Sequence, residues 1–269
     1  MTGWTTTRIG PSPHIAVDHM GTGDLVVFLH GIGGNKRNWH PNLEAFAAHW
    51  HAAAWDARGY GESDDYDGPL DFLDYTRDLA RVLDFFSARK AHVVGLSMGG
   101  RIALDFAALH PDRLLTLTLC DTHQGFAHFS EEKKQDFVRL RREPLEKGGT
   151  PKDIAVPVAK SLCGPRAVPG AFEQLVDSLS RLHKDSYLKC IEASVRAETH
   201  GRLEDIRVPT HVIVGSDDTL TTPAMCREIA DAISGAKLTV IPDAGHLVNI
   251  EQPEAFNRAA VGFIRESGG

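Results

Sequence analysis

Cysteine is scarce in this chain of 269 residues: Cys120, Cys163, Cys190 and Cys226 are scattered, and no C-x-x-C pairs them. No disulfide framework is therefore expected; reduced, mostly buried thiols and a cytoplasmic setting are. Long apolar runs are missing, so no membrane span is expected. Met1 to Pro13 lacks the apolar stretch of a secretion signal. Basic charge is in deficit, with 29 Lys and Arg against 36 Asp and Glu and a net charge of −7. That balance argues against nucleic acid or an anionic membrane as partner. No metal-ligand spacing and no nucleotide fingerprint occurs, so no cofactor and no metal is expected. Repeats and low-complexity tracts are absent as well. The length suits one large α/β domain, or such a core with one insertion.

What is present centres on Gly95-Leu96-Ser97-Met98-Gly99-Gly100. An apolar run, Ala91 to Val94, precedes it, and a helical stretch, Arg101 to His110, follows. Strand, sharp turn and helix form the context of a nucleophile elbow, which lifts a serine hydroxyl out of the sheet. Glycines two residues either side of Ser97 allow strand and helix to approach closely. The same turn aims the N–H of Met98 at the position of a developing oxyanion.

The rest of the chain alternates. Leu25 to Leu29 reads as a strand buried on both faces, ending at the glycine-rich loop His30-Gly31-Ile32-Gly33-Gly34. In an open α/β sheet, ligands bind at such carboxyl ends. The N–H of Ile32 is the expected second oxyanion donor. His30 is expected to support the loop rather than act as a base. Trp39 to Trp50 reads as an amphipathic helix, 51–56 as a weak strand and 72–89 as a helix. Asp56 and Arg58, in a Gly-punctuated loop, are expected to pin loops by hydrogen bonds. Leu114 to Cys120 reads as another buried strand. From 123 to 205 no convincing strand occurs and helices are expected at 130–147, 151–162, 169–182 and 185–199. Strands at 211–214 and 237–241, with helices at 223–233 and 253–265, complete the chain. The expected organisation is a core, 1–122, a helical cap inserted after the sixth sheet strand, 123–205, and the returning core, 206–269. Gly31, Trp39 and His123 are the candidate pocket residues.

A serine nucleophile needs a base, and the base needs a carboxylate to fix its tautomer. His246, in the loop after the last strand, is the expected base among fourteen histidines. For the acid the residues leave three positions open: Asp218, Asp217 beside it, and Asp121 at the end of another strand. Cap arginines Arg139, Arg141, Arg142 and Arg196 are candidates to hold a substrate carboxylate, against the alternative of a solvated helix face.

These motifs resemble the α/β-hydrolase superfamily over essentially the whole chain. The matching features are His30-Gly31, Asp56-x-Arg58-Gly59-x-Gly61-x-Ser63, Gly95-x-Ser97-x-Gly99, Gly215-x-x-Asp218 with Pro223 beyond, and Gly245-His246. The resemblance implies a triad of Ser97, Asp218 and His246, with an oxyanion hole at the N–H groups of Ile32 and Met98. The final third, from Pro242 to Asn257, looks most like the 3-oxoadipate enol-lactonases and similar small-acid hydrolases. A cofactor-free hydrolase of an ester or lactone of a small organic acid is the implied function. Its partner is a small-molecule substrate, with self-association left open. Alternatives within the superfamily are a C–C bond hydrolase of a ring-cleavage product and a triad-retaining ligand sensor. A dehalogenase of this fold would need a carboxylate at position 97.

Overall fold

Apolar runs too continuous for a half-exposed sheet end up in its centre. Leu25–Leu29 (β3) and Ala91–Leu96 (β5) are buried along their whole length and pair in parallel. The computed structural model describes residues 3–127 and 129–268. Around these two strands lies an eight-stranded sheet. Its other members are Thr5–Ile9 (β1), Ile15–Met20 (β2), His51–Trp55 (β4), Leu114–Cys120 (β6), Thr210–Gly215 (β7) and Lys237–Ile241 (β8). The spatial order is β1-β2-β4-β3-β5-β6-β7-β8. β1 and β2 pair antiparallel, as do β2 and β4; all remaining pairs are parallel. This is the mostly parallel α/β sheet that the alternation of strands and helices implies.

Register decides where the site lies. Leu29 pairs with Gly95, Leu96 with Cys120, Cys120 with Ile213, and Gly215 with Ile241. The strand ends are thus level, and the loops beginning at His30, Ser97, Asp121, Ser216 and Pro242 leave one edge together.

The helices are His40–Ala47 (α1), Asp74–Phe85 (α2), Met98–Leu109 (α3), Glu131–Glu146 (α4), Pro151–Leu162 (α5), Ala171–Ser180 (α6), Lys184–Arg196 (α7), Pro223–Ala232 (α8), Val248–Glu251 (α9) and Pro253–Glu266 (α10). α4 to α7 fill the connection between β6 and β7, with no strand among its described residues. Ser130 caps α4 by accepting the Lys133 N–H, and two glutamates in the first turn suit the helix dipole.

Several bounds differ from the sequence reading. The stretch 39–50 is not one helix. A 3₁₀ turn, Lys36–Trp39, is capped by Asn35, and α1 then ends at Ala47. α3 starts at Met98 rather than Arg101, because the turn after β5 is as tight as an elbow permits. β1 has no counterpart in the sequence reading; its exposed TTTRI pattern carries little apolar signal. Among the described residues no helix is long and apolar enough to cross a membrane.

Candidate active site

Ser97 occupies the apex between β5 and α3 with φ 53° and ψ −113°, backbone angles that few residues other than glycine adopt. Neighbouring groups hold it there. Its N–H donates to the Cys120 carbonyl at 2.8 Å. Its own carbonyl accepts from Thr122 Oγ1 at 2.7 Å and from the Arg101 N–H at 3.1 Å. A Cβ on Gly95 would collide with the Gly99 carbonyl, and one on Gly99 with the Leu29 carbonyl. Glycine at both positions is therefore what lets α3 start directly against the sheet.

Ser97 Oγ lies 3.0 Å from His246 Nε2, and His246 Nδ1 lies 2.9 Å from Asp218 Oδ2. His246 and Asp218 are both about 4% exposed. Asp218 is held on every side. Its Oδ1 accepts the N–H groups of Leu220 (2.8 Å) and Thr221 (3.0 Å). Its Oδ2 accepts the Thr221 hydroxyl at 2.6 Å as well as the imidazole. Burial alone would raise the carboxyl pKa. The facing His246, its hydrogen bond and the Thr221 donors outweigh that and bring Asp218 down to about 2. A carboxylate so anchored stays ionised beside the imidazole.

The other two acids point elsewhere. Asp121 is fully buried, accepts the Gly215 N–H at 2.9 Å and the Val248 N–H at 3.2 Å, and so ties β6 to β7 and α9. Burial, with Asp218 nearby, pushes its pKa well up. Asp217 faces outward to the Ser216 hydroxyl and Arg166. His30 supports the loop: its Nδ1 is 2.8 Å from the Gly31 carbonyl, and its Nε2 accepts the Ala57 N–H at 3.0 Å. Asp56 accepts the N–H groups of Lys36 and Glu62, while Arg58 grips Asp78 in two-pronged fashion.

A cavity of about 320 Å³ opens over Ser97 and His246. Ile32 and Met98 border it, and among the described residues neither backbone N–H is donated to a protein acceptor. Aromatic rings of Phe72, Phe126, Phe129 and Phe137 form much of the wall, with α4, α5 and α7 supplying the side away from the sheet. His123 lies on this wall, as the sequence reading places it. Burial holds its imidazole neutral, with the pKa down to about 4, and its Nδ1 accepts the Gly125 N–H at 2.9 Å.

Trp39 does not line the cavity. It is fully buried against Phe28 and Phe256, because the 3₁₀ turn rotates it inward under the loop. Gly31 likewise lies behind the serine, where a Cβ would sit 3.0 Å from Ser97 Cβ. Both border only a void of about 20 Å³ beneath Ser97. Sequence reasoning missed Thr221, Tyr187, Arg101 and the phenylalanine cluster. A run of His123, Phe126 and Phe129 just past the edge of β6 is the one signal that points to the cluster. Among the described residues, no three His, Cys, Asp or Glu side chains are grouped to hold a metal ion.

A level row of strand ends carrying a serine elbow defines a class of protein, and comparison with known proteins agrees. The family model described as alpha/beta hydrolase fold matches residues 24–253, and the chain belongs to that family. It is an α/β-fold hydrolase. It is 26% identical to 3-oxoadipate enol-lactonase 1 of Acinetobacter baylyi over 262 residues, covering 97% of this chain and 96% of that one. It is 30% identical to a 2-hydroxy-6-oxononadienedioate/2-hydroxy-6-oxononatrienedioate hydrolase of Burkholderia vietnamiensis, covering 95% and 92%. The solved structure of a thermophilic esterase from Thermogutta terrifontis superposes with a TM-score of 0.88 at 28% identity, covering 98% and 99%.

Proposed function

We propose that this chain is a cofactor-independent serine hydrolase that cleaves an ester or lactone of a small organic acid. The observation that carries the reading is the chain of contacts from Ser97 Oγ through His246 to Asp218, at 3.0 and 2.9 Å. His246 Nε2 takes the hydroxyl proton as Ser97 Oγ forms a bond to the substrate carbonyl carbon. The carbonyl electron pair moves onto oxygen, where the N–H groups of Ile32 and Met98 stabilise it; one such donor is worth about 3 to 4 kcal/mol. Collapse breaks the bond to the leaving oxygen, which receives the proton from Nε2. Water then gives its proton to Nε2, adds to the acyl carbon and releases the acid, and Ser97 regains its hydrogen. Asp218 stabilises the imidazolium in both halves. The helical segment 123–205 acts as a cap that excludes water from the cavity.

The enol-lactonase and the esterase among the relatives support the ester or lactone class. The relative named for an oxo-dienedioate substrate favours a second reading, hydrolysis of a ring-cleavage dienoate at the same serine. The test is turnover by wild type and Ser97→Ala of nitrophenyl esters, small lactones including an enol-lactone, and such a dienoate. Fast turnover of an ester or lactone, lost about 10³-fold or more in the alanine variant, is the expected result. Fast turnover of the dienoate alone would establish the second reading. Slow turnover of every substrate would reject both.

A further inference from the structure

The cavity over Ser97 carries three cationic side chains, and they differ in what faces them. Arg101 is paired with Asp105 at 3.3 Å and donates to the Glu198 carbonyl. Lys133 stands at the exposed edge. Arg141, on α4, gives one N–H to the Phe137 carbonyl at 3.1 Å. Among the described residues no carboxylate lies within ion-pair distance of it. Asp136, the carboxylate on that wall, is engaged by Arg139 at 2.8 Å. Burial depresses the Arg141 pKa, and the one facing group that offsets this is Tyr187, which lines the same cavity.

A half-buried arginine without a counter-ion is costly. Here its guanidinium carbon sits over the Phe137 ring, 3.7 Å from the centroid, a cation–π contact that holds it at the cavity wall. Among the described residues its other four N–H donors meet no acceptor, and a planar fork of that kind matches a carboxylate. Arg139 and Arg142, by contrast, are spent on acids of their own helix and of α7. We infer that the ester or lactone bears a second, free carboxylate, which Arg141 binds while the reacting carbonyl lies at Ser97. The apolar phenylalanine wall takes the carbon chain between the two ends. This rests on the hydrolase reading above and narrows it to acids with two carboxyl functions, one of them esterified.

The test uses the nitrophenyl hemiester of glutarate beside nitrophenyl valerate, which carries a methyl where the hemiester has its carboxylate. The readout is the ratio of the two kcat/KM values, so that any general loss of folding or activity cancels. Wild type should favour the hemiester by about 30-fold or more, the scale of a charge-assisted hydrogen bond. Arg141→Gln should bring the ratio close to unity, and Arg141→Lys should leave it in between. A wild-type ratio near unity, or one that Arg141→Gln leaves unchanged, overturns the inference even where Ser97→Ala shows the hydrolase reading to be right. If neither ester is turned over, the hydrolase reading is left to the wider panel above and calorimetry with glutarate decides the arginine site. Binding by wild type that Arg141→Gln abolishes supports the arginine site, and no binding by wild type overturns it.

Discussion

Thr221 is the residue that most closely joins Asp218 and His246. Its hydroxyl donates to the Asp218 oxygen that also receives the imidazole, and lies 3.1 Å from His246 Nδ1. It borders the cavity, and its hydroxyl is spent on the Asp218 carboxylate, so it is a positioning residue. Thr221→Val keeps the volume and removes the donor, so the Asp218 carboxyl should rise from its low pKa. A group whose folded pKa is depressed contributes stability above its unfolded pKa and loses it as pH falls through the folded one. The variant should therefore lose that acid resistance at a higher pH, with kcat down about tenfold. Thr221→Ser should restore both, and a fall in kcat that serine does not rescue would point to packing instead. The sequence could not choose among Asp121, Asp217 and Asp218 from their own positions, since all three follow strands. What separates them in the structure is tertiary: Asp218 Oδ2 meets His246 Nδ1, while Asp121 is tied to β7 and α9. His246 stands out in the sequence by its place in the short loop after the last strand, and the structure puts its Nε2 3.0 Å from Ser97 Oγ.

Elements were legible where burial is uniform. β3, β5, β6 and β7 are apolar runs buried on both faces, and each reads directly as a central strand. β1 is an edge strand of exposed threonines, and no periodicity marks it. The pocket walls were harder still, because they come from α4, α5 and α7 folding over a cavity, and residue spacing on one helix does not reveal what it faces. The elbow is the element whose chemistry was plainest, and its packing makes a sharp prediction. Gly99→Ala puts a Cβ against the Leu29 carbonyl, a backbone group of the central strand that cannot turn aside. Overpacking of this kind costs about 3 kcal/mol. The first turn of α3 must shift, taking the Met98 N–H with it. Denaturant unfolding should show the loss of stability, and turnover per folded molecule should fall as well. A variant destabilised to that degree with undiminished turnover would mean that the Met98 donor is not used.

At the scale of the whole molecule, the fold buries histidines in neutral form. His30, His92, His123 and His211 all have pKa values lowered to about 4, chiefly by burial. They lie in separate parts of the sheet and loops: His92 meets Thr116 at 2.9 Å, and His211 meets Thr239 at 2.8 Å. In the unfolded chain an imidazole takes its proton near pH ~6.5. Between that pH and 4 the unfolded state therefore binds protons that the native state refuses. Stability is fully present above about pH 6.5 and is lost as pH falls through this window. Asp121 works the other way: its raised pKa lets the native state keep a proton that the unfolded chain gives up. From these five groups alone, unfolding near pH 5 should take up roughly three protons, a fall in stability of about 4 kcal/mol per pH unit. Denaturant midpoints measured from pH 8 to 4.5 check the slope, and His92→Gln, which cannot take up a proton, should flatten it by about one proton. A midpoint that stays level from pH 6.5 to 5 would mean that these histidines are already charged in the native state.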